Sequence, residues 1–229
     1  EVKVFDRAPV SYTLNWPGAK GAPTECGPFE IQFAVVEGMQ HRSLLAPDDW
    51  VTMSDKLTKV GGLYIYRDGV RVLPYGDADF DFLHIEKRRN MSIKDWFFSY
   101  RRMFGAILVS SQNNKNLKDK AGREGFRENI AYIQFKEMLE NLLKQLAKDF
   151  FREKATFAEY YALAKEFDDR NDLLKKREKL VAVKKDKFRT ELSRFFEQVE
   201  AGKPGQITET FGQQVMARMD ALERIDDPD

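Results

Sequence analysis

The sequence contains few of the side chains that carry metal or thiol chemistry: one cysteine, Cys26, and two histidines, His41 and His84, among 229 residues. A single cysteine excludes a disulfide bond within the chain and any zinc site built from several cysteines, and it fits a reducing cytoplasm. Neither histidine lies at a spacing typical of metal ligands, and no histidine lies near Cys26 in sequence to activate it as a nucleophile. Metal and thiol catalysis are therefore not predicted.

Long apolar runs and net charge are also lacking. No stretch of about 18 apolar residues exists, so no segment is predicted to span a bilayer, and no signal peptide is recognisable. The 38 Lys and Arg residues are balanced by 37 Asp and Glu residues, so the total charge gives no argument for binding nucleic acid or membrane. The phosphate-binding patterns G-x-x-x-x-G-K-[ST] and G-x-G-x-x-G are missing. Since the chain opens at Glu1, we expect a fragment of a longer protein.

Phenylalanine, by contrast, is abundant, with 18 residues that can build a substantial core. Prolines and glycines over residues 1–28 predict an irregular leader with a short strand at Val2–Phe5. The alternation of apolar and polar residues in Phe29–Glu37 predicts a half-buried strand. Pro47 is predicted to open a helix over Asp48–Lys59.

The middle of the chain carries the clearest strand signals. Gly61–Tyr75 predicts a hairpin that turns at the Asp-Gly pair 68–69, which tolerates positive φ angles. Asp77–Asn90 is polar and basic at its end and predicts a loop, and Met91–Tyr100 predicts another turn of helix. The apolar run Met103–Ser110 predicts a strand buried on both faces.

The last third of the chain has helical periodicity. Apolar residues from Phe135 to Phe150 recur every three or four positions, which predicts one amphipathic helix. Thr156 and Glu159 fit a capping box that would start a second, longer helix ending near Ala201, and Thr208 would cap a last one. Along the long helix, aromatic and aliphatic residues fall seven apart and predict a coiled-coil-like seam: Tyr160, Phe167, Leu174, Val181, Phe188 and Phe195.

The stretch Lys118–Asn129, KDKAGREGFREN, is the strongest candidate functional segment. Gly122 and Gly125 bracket Arg123 and can let the backbone turn sharply close to another surface. A guanidinium keeps its charge, and its planar fork of donors suits phosphate oxygens. Two interpretations remain open on the residues alone. Arg123 reaches a nucleotide held outside this domain, or it is a salt-bridged, solvated arginine at a helix N-terminus.

Two other charged stretches have candidate ligands. Lys175–Arg189 holds eight basic and two acidic residues, so its lysines either bind nucleic-acid phosphates or line a solvated coiled-coil flank. The members of the nucleic-acid alternative are Lys175, Lys176, Lys184 and Lys185. The acidic residues Asp77, Asp79 and Asp81 could bind a hard cation, but no ligating glutamate follows at loop spacing, which favours a solvated loop and no metal site.

The hairpin, the apolar strand and the arginine stretch, in this order, resemble the transducer or middle domain of the GHKL ATPases. That superfamily includes gyrase B subunits, MutL proteins, MORC ATPases and the heat-shock protein 90 chaperones. The segment GGLYIYRDGVRVLPYGDADFDFLHIEKRR, followed by a strand and an R-E-G motif, is similar to bacterial heat-shock-protein-90-like ATP-binding proteins. Over about Phe29–Phe150 the resemblance implies an α+β fold of the ribosomal protein S-five domain 2 type, with a left-handed βαβ unit.

The resemblance also implies roles for individual residues. In the chaperones, the arginine of an S-R-E motif contacts the γ-phosphate of ATP bound in the preceding domain, and Arg123 with Glu124 as its orienting partner stands in the matching place. Arg127 stands where the chaperones have a helpful glutamine, and Lys118 or Lys120 could substitute for the switch lysine of gyrase and MutL. ATP and Mg²⁺ are thus implied for the intact protein. This chain lacks the pocket motifs and is expected to bind ATP very weakly and not to hydrolyse it.

Three parts follow from the resemblance: a leader at 1–28 from an absent N-terminal ATPase domain, a transducer domain at 29–150, and a coiled-coil-like helical arm at 151–229. The implied function is to couple ATP hydrolysis in that GHKL domain to movement of the arm, within a homodimer. DNA, RNA or a client protein are the candidate targets, and no membrane partner is expected.

Overall fold

The computed structural model describes residues 1–14, 16, 18, 23–92, 96–122, 124–200 and 217. Two compact units divide the chain, Glu1–Lys165 and Glu166–Asp229. The predictions made for Arg123 and for the last helix from Thr208 lie outside the described residues.

Four strands of the first unit form one mixed sheet with the order β1-β4-β2-β3. Its strands are β1 Glu30–Val35, β2 Gly62–Arg67, β3 Val70–Arg71 and β4 Met103–Val109. β4 pairs antiparallel with β1 and parallel with β2, and β2 pairs antiparallel with β3. The predicted half-buried strand and hairpin are confirmed, because β1 alternates in burial and the turn residues Asp68 and Gly69 have φ angles of 49° and 83°.

The helices are α1 Pro47–Val60, α2 Ile85–Met91, α3 Ile130–Phe150 and α4 Glu159–Glu200, with 3-10 turns at Gln40–Arg42 and Tyr100–Arg102. Pro47 occupies the first turn of α1 as predicted, where its missing N–H costs no hydrogen bond. The prediction of α+β structure with a long helix toward the C-terminus is thereby confirmed. The structure bears neither on the finer transducer fold nor on the three predicted parts.

The prediction of a loop over Asp77–Asn90 is wrong in its second half, where α2 forms. The turn of helix predicted for Met91–Tyr100 falls in part on residues 93–95, which lie outside the described residues. Ile85 is fully buried at the start of α2, and the Asp81 carboxylate accepts a hydrogen bond of 2.9 Å from the Glu86 amide. Basic residues in the last turn favour the negative end of the helix dipole. Seven residues are too few to show a helical period in the sequence, so tertiary burial decides the conformation here.

The prediction that β4 is buried on both faces is also wrong. Met103 and Ile107 have no exposed surface, whereas Phe104 and Leu108, on the opposite face, are 51% and 41% exposed. Gly105 faces the core side and lies opposite Phe33 of β1, whose Cβ would be only 2.4 Å from an added Cβ. An apolar run of seven residues therefore does not distinguish a strand covered on both faces from one covered on a single face.

The core on the covered side of the sheet is rich in aromatic rings and is closed by α3. Phe29 meets Phe135 edge-on with ring centroids 5.0 Å apart. Residues of the predicted leader pack on the same unit, since Tyr12 donates a hydrogen bond to Asp149 of α3 and Phe5 stacks on Tyr160 at 5.6 Å. The short strand predicted at Val2–Phe5 is reduced to a single bridge between Val2 and Val10.

Candidate functional site

The arginine loop, residues 118–129, folds as a hairpin and not as a helix N-terminus. Asp119 and Phe126 form an antiparallel bridge, and the Lys120 and Arg127 amides donate to the carbonyls of Gly125 and Lys118 at 2.9 and 2.8 Å. Helix α3 begins only at Ile130. The alternative prediction of a helix N-terminus at the glycine pair is therefore wrong in its backbone geometry.

Gly125 allows this hairpin to close against the core. Its φ angle of 90° lies in the left-handed region, and an added Cβ would lie 3.1 Å from the Tyr75 hydroxyl. Glu124, just before it, forms a parallel bridge with Leu73 beyond the end of β3. The base of the loop is thus attached both to the hairpin Gly61–Tyr75 and to the core.

Arg67, the last residue of β2, clamps the two sides of the loop. Its Nη1 lies 2.8 Å from an Asp119 carboxylate oxygen, its Nη2 donates to the Leu117 carbonyl, and its guanidinium lies over the Phe126 ring at 4.9 Å. The Arg67 side chain is only 14% exposed. A charge-assisted contact at this burial constrains both strands of the hairpin at once.

A second anchor comes from Tyr75, which connects the loop to α3. Its hydroxyl accepts a hydrogen bond from the Phe126 amide and donates one to the Tyr132 hydroxyl, each at 3.1 Å. Burial raises the pKa of both phenols, so each remains protonated. Asn129 completes the junction, because its side chain accepts from the Tyr132 amide and caps α3.

Side chains of the loop face solvent both at its tip and at its open end. Lys120, Gly122 and Glu124, near the turn, are exposed. Lys118 and Arg127, at the open end of the hairpin, are also exposed, and the Arg127 Nε donates to the Asp119 carbonyl at 3.1 Å. Within the described part of the chain, the ammonium groups of Lys118 and Lys120 have no hydrogen bond or ion pair. The structure therefore gathers four of the five predicted site residues on one anchored loop.

The four lysines of the nucleic-acid alternative are exposed along α4 but do not share one face. Lys175 and Lys184 are nine residues apart, as are Lys176 and Lys185. Nine residues correspond to about two and a half helical turns, so the members of each pair point to opposite sides of the helix. A single stripe of phosphate contacts cannot use all four residues.

The acidic residues Asp77 and Asp81 have partners within the fold. An Asp77 oxygen lies 2.5 Å from Arg71, and Asp81 accepts the Glu86 amide. No cluster of three or more potential metal ligands exists among the residues that the structure describes.

Arg67 is the site residue that sequence reasoning missed. It occupies the same side of β2 as Leu63 and Ile65, both of which have no exposed surface. The sequence contains one indication of this role. A charged residue at an inward-facing position of a strand needs a partner inside the protein, and Arg67 follows Leu63 and Ile65 at such a position. The identity of that partner, a loop some fifty residues later, depends on the tertiary fold.

Comparison with known proteins returned no matching family model, curated protein or solved structure. No helix in the described ranges combines the length and hydrophobicity needed to cross a membrane.

Proposed function

We propose that this chain is the transducer region of a GHKL-type ATPase, in which Arg123 contacts the γ-phosphate of ATP held by an N-terminal ATPase domain of the same protein. The observation that carries the proposal is the arginine loop itself. Its base is fixed to the core through Arg67 and Tyr75, and exposed cationic side chains precede and follow Arg123 along the loop.

The finer fold belongs to the same proposal. β2 and β4 run parallel, and α2 lies in the connection between them. This topology supports a βαβ unit, and a left-handed crossing would complete the ribosomal protein S-five domain 2 type of fold. In that arrangement the arginine loop follows directly after the second parallel strand.

An anchored loop suits phosphate sensing for a physical reason. Phosphoryl transfer needs positive charge that is already positioned when the γ-phosphate leaves, with Mg²⁺ neutralising part of the charge. A loop that had to order itself first would lose part of this advantage to conformational entropy. Lys120 adds charge next to the tip and Lys118 adds charge on the same strand of the loop, whereas Arg127, through its bond to Asp119, also stabilises the loop.

The contacts of the loop supply a route for coupling. A phosphate bound at the tip would shift the Phe126 backbone, whose amide is bonded to Tyr75, and Tyr75 is bonded in turn to Tyr132 of α3. The nucleotide state would thereby bias α3 and the helical arm that follows it, in a homodimer. A two-state response of this kind needs only that ATP favours one arrangement of the loop.

The decisive test is Arg123→Ala in the protein that includes both this chain and its ATPase domain. We expect ATP turnover to fall at least about 100-fold, since an arginine that contacts the γ-phosphate commonly contributes 10³ or more. The ATP dissociation constant should change by no more than about threefold, because the contact acts mainly in the transition state. Arg123→Lys keeps the charge without the planar fork and should recover only part of the turnover.

Arg170→Ala is the matched control, because Arg170 is an exposed arginine of α4 and not a member of the arginine loop. It should leave turnover unchanged. Equal turnover in the wild-type protein and the Arg123→Ala variant would reject the proposed role.

A further inference from the structure

The turn between β2 and β3 contains the one Asp-Gly pair of the chain, and the sequence has no Asn-Gly pair. Asp68 and Gly69 both have positive φ angles, 49° and 83°, as a type I′ turn requires. Both residues are exposed. A Cβ built at Gly69 would have no heavy atom within 4 Å, so this side of the turn lies open to solvent.

An Asp-Gly pair can rearrange without an enzyme. The amide nitrogen of the glycine attacks the side-chain carbonyl carbon of the aspartate, and a five-membered succinimide forms. One water leaves, made from the carboxyl hydroxyl and the amide proton. Water then adds to one of the two ring carbonyls, which either restores aspartate or gives isoaspartate of unchanged mass, in which the main chain runs through the side-chain carbons. Glycine favours ring closure because it has no Cβ to shield its nitrogen.

Ser111, just beyond the end of β4, holds the Asp68 carboxylate away from this reaction. Its hydroxyl donates to Oδ2 of Asp68 at 2.5 Å, and its amide lies 3.1 and 3.2 Å from the two carboxylate oxygens. The hydrogen bond from the Ser111 side chain, and then that from its amide, hold the pKa of the Asp68 carboxyl below its usual range. An ionised carboxylate resists attack because it lacks a hydroxyl that can leave as water. The carboxylate must therefore leave Ser111 and gain a proton before the ring can close.

The backbone of this turn bears directly on the candidate functional site. Arg67, which clamps the arginine loop, immediately precedes Asp68 and pairs with Val70 across the turn. The Asp68 amide also donates to the Val109 carbonyl of β4 at 3.1 Å. Isoaspartate adds one methylene to the main chain, which a two-residue type I′ turn cannot accommodate. Its formation would therefore move Arg67 relative to its partners in the loop.

We propose that Asp68-Gly69 is a latent isoaspartate-forming site, kept closed by Ser111, whose conversion releases the Arg67 clamp on the arginine loop. Water is the only co-reactant, so the reaction needs no further group from the protein. The proposal does not depend on nucleotide sensing by Arg123, and its tests involve no ATP.

Prolonged incubation of the chain at neutral pH tests the role of Ser111, with isoaspartate measured at each position by peptide mapping with electron-transfer fragmentation. Ser111→Ala should form isoaspartate at residue 68 at least about threefold faster than the wild-type protein, since one hydrogen bond to the carboxylate is lost. Ser111→Thr keeps the hydroxyl and should react at the wild-type rate. Ser11→Ala, at an exposed serine that is not bonded to Asp68, is the matched control and should also react at that rate.

Two outcomes of this incubation would overturn the role of Ser111. One is an equal rate at residue 68 in the wild-type protein and the Ser111→Ala variant. The other is a rise in isoaspartate at many positions of the Ser111→Ala variant, which would mean that the substitution loosens the fold in general and does not release Asp68 specifically.

Ion-exchange separation of the incubated Ser111→Ala protein tests the link to the loop. In the fraction with isoaspartate at residue 68, the Lys120 and Arg127 amides should exchange hydrogen for deuterium faster, while the amides of α3 remain protected. The unmodified fraction of the same sample is the matched reference. Equal exchange at Lys120 and Arg127 in the two fractions would overturn the proposed release of the clamp.

Discussion

Helices α3 and α4 are both amphipathic, yet they bury their apolar residues very differently. α3 has eight buried residues, including Phe135 and Leu139. Over residues 166–200 of α4, by contrast, Val181 is the one buried hydrophobic residue among the side chains described there, and Leu173 and Leu180 are exposed. Helices in proteins draw most of their stability from packing of an apolar face. α3 finds that packing within its own unit, whereas Leu173 and Leu180 of α4 gain little stabilisation from burial.

Truncation of one buried residue on α3 and one exposed residue on α4 should give the largest contrast. Phe135→Ala should lower the free energy of unfolding by about 3–5 kcal/mol, because Phe135 is fully buried against other rings. Leu180→Ala should cost no more than about 0.5 kcal/mol in the monomer. Urea denaturation at low protein concentration measures both. Similar losses for the two variants would show that α4 is packed more tightly than its exposure indicates.

The clamp at Arg67 should have a smaller and more local effect. Arg67→Ala should cost about 1–2 kcal/mol, a value discounted because Asp119 is 42% exposed. The Lys120 and Arg127 amides, which close the loop hairpin, should exchange hydrogen for deuterium faster, while the amides of α3 remain protected. Arg101→Ala, at an exposed arginine of the same unit, is the matched control.

Unchanged exchange at Lys120 and Arg127 in the Arg67→Ala variant would mean that the loop is held by Tyr75 alone. The proposed phosphate-sensing arrangement would then not depend on the arginine clamp. Arg67→Lys should restore little of the protection, since a point charge cannot reach Asp119 and the Leu117 carbonyl together as the guanidinium does.

Local patterns in the sequence predicted much of the fold. The Asp68-Gly69 turn, the first-turn proline of α1 and the apolar periodicity of α3 each depend on neighbours a few residues away, and each prediction is confirmed. The short helix α2 escaped prediction because the burial of Ile85 and the cap from Asp81 are set by distant contacts.

The sequence indicated which residues form the candidate loop, but not which distant residues hold that loop in place. Two glycines around a charged pair indicated a sharp turn, and the structure has a hairpin there. Its anchors, Arg67 and Tyr75, lie about fifty residues earlier in the chain, a separation that only the sheet topology brings together.

A smaller effect is expected where the sheet of the first unit faces solvent. Phe104→Ala should cost about 1 kcal/mol, since the Phe104 ring is half exposed and its main aromatic contact is Tyr64 at 5.4 Å. Ile107→Ala, on the covered face of the same strand, is the reference variant and should cost at least twice as much. Equal losses in urea denaturation would indicate that the Phe104 face is covered in solution.

The smallest effect concerns Tyr12 and appears only at alkaline pH. Burial, together with the hydrogen bond to Asp149, raises the pKa of Tyr12 from 10.0 to about 12. Between these values the unfolded chain loses a proton that the folded chain retains, so the free energy of unfolding falls as pH rises from about 10 to 12. Tyr12→Phe should make this fall shallower without removing it, because burial also raises the pKa of other tyrosines of the first unit: Tyr75, Tyr100, Tyr132 and Tyr160.

Urea denaturation at several pH values, with Tyr161→Phe as the control for an exposed phenol, measures this slope. Residues 166–200 contain no tyrosine, so the alkaline loss should appear in the first unit's near-ultraviolet dichroism before the helical signal of α4 changes. An identical slope in the Tyr12→Phe variant and the wild-type protein would mean that residues near the N-terminus leave the core before the phenol ionises. In that case the contact between Tyr12 and Asp149 would contribute to the first unit only at neutral pH.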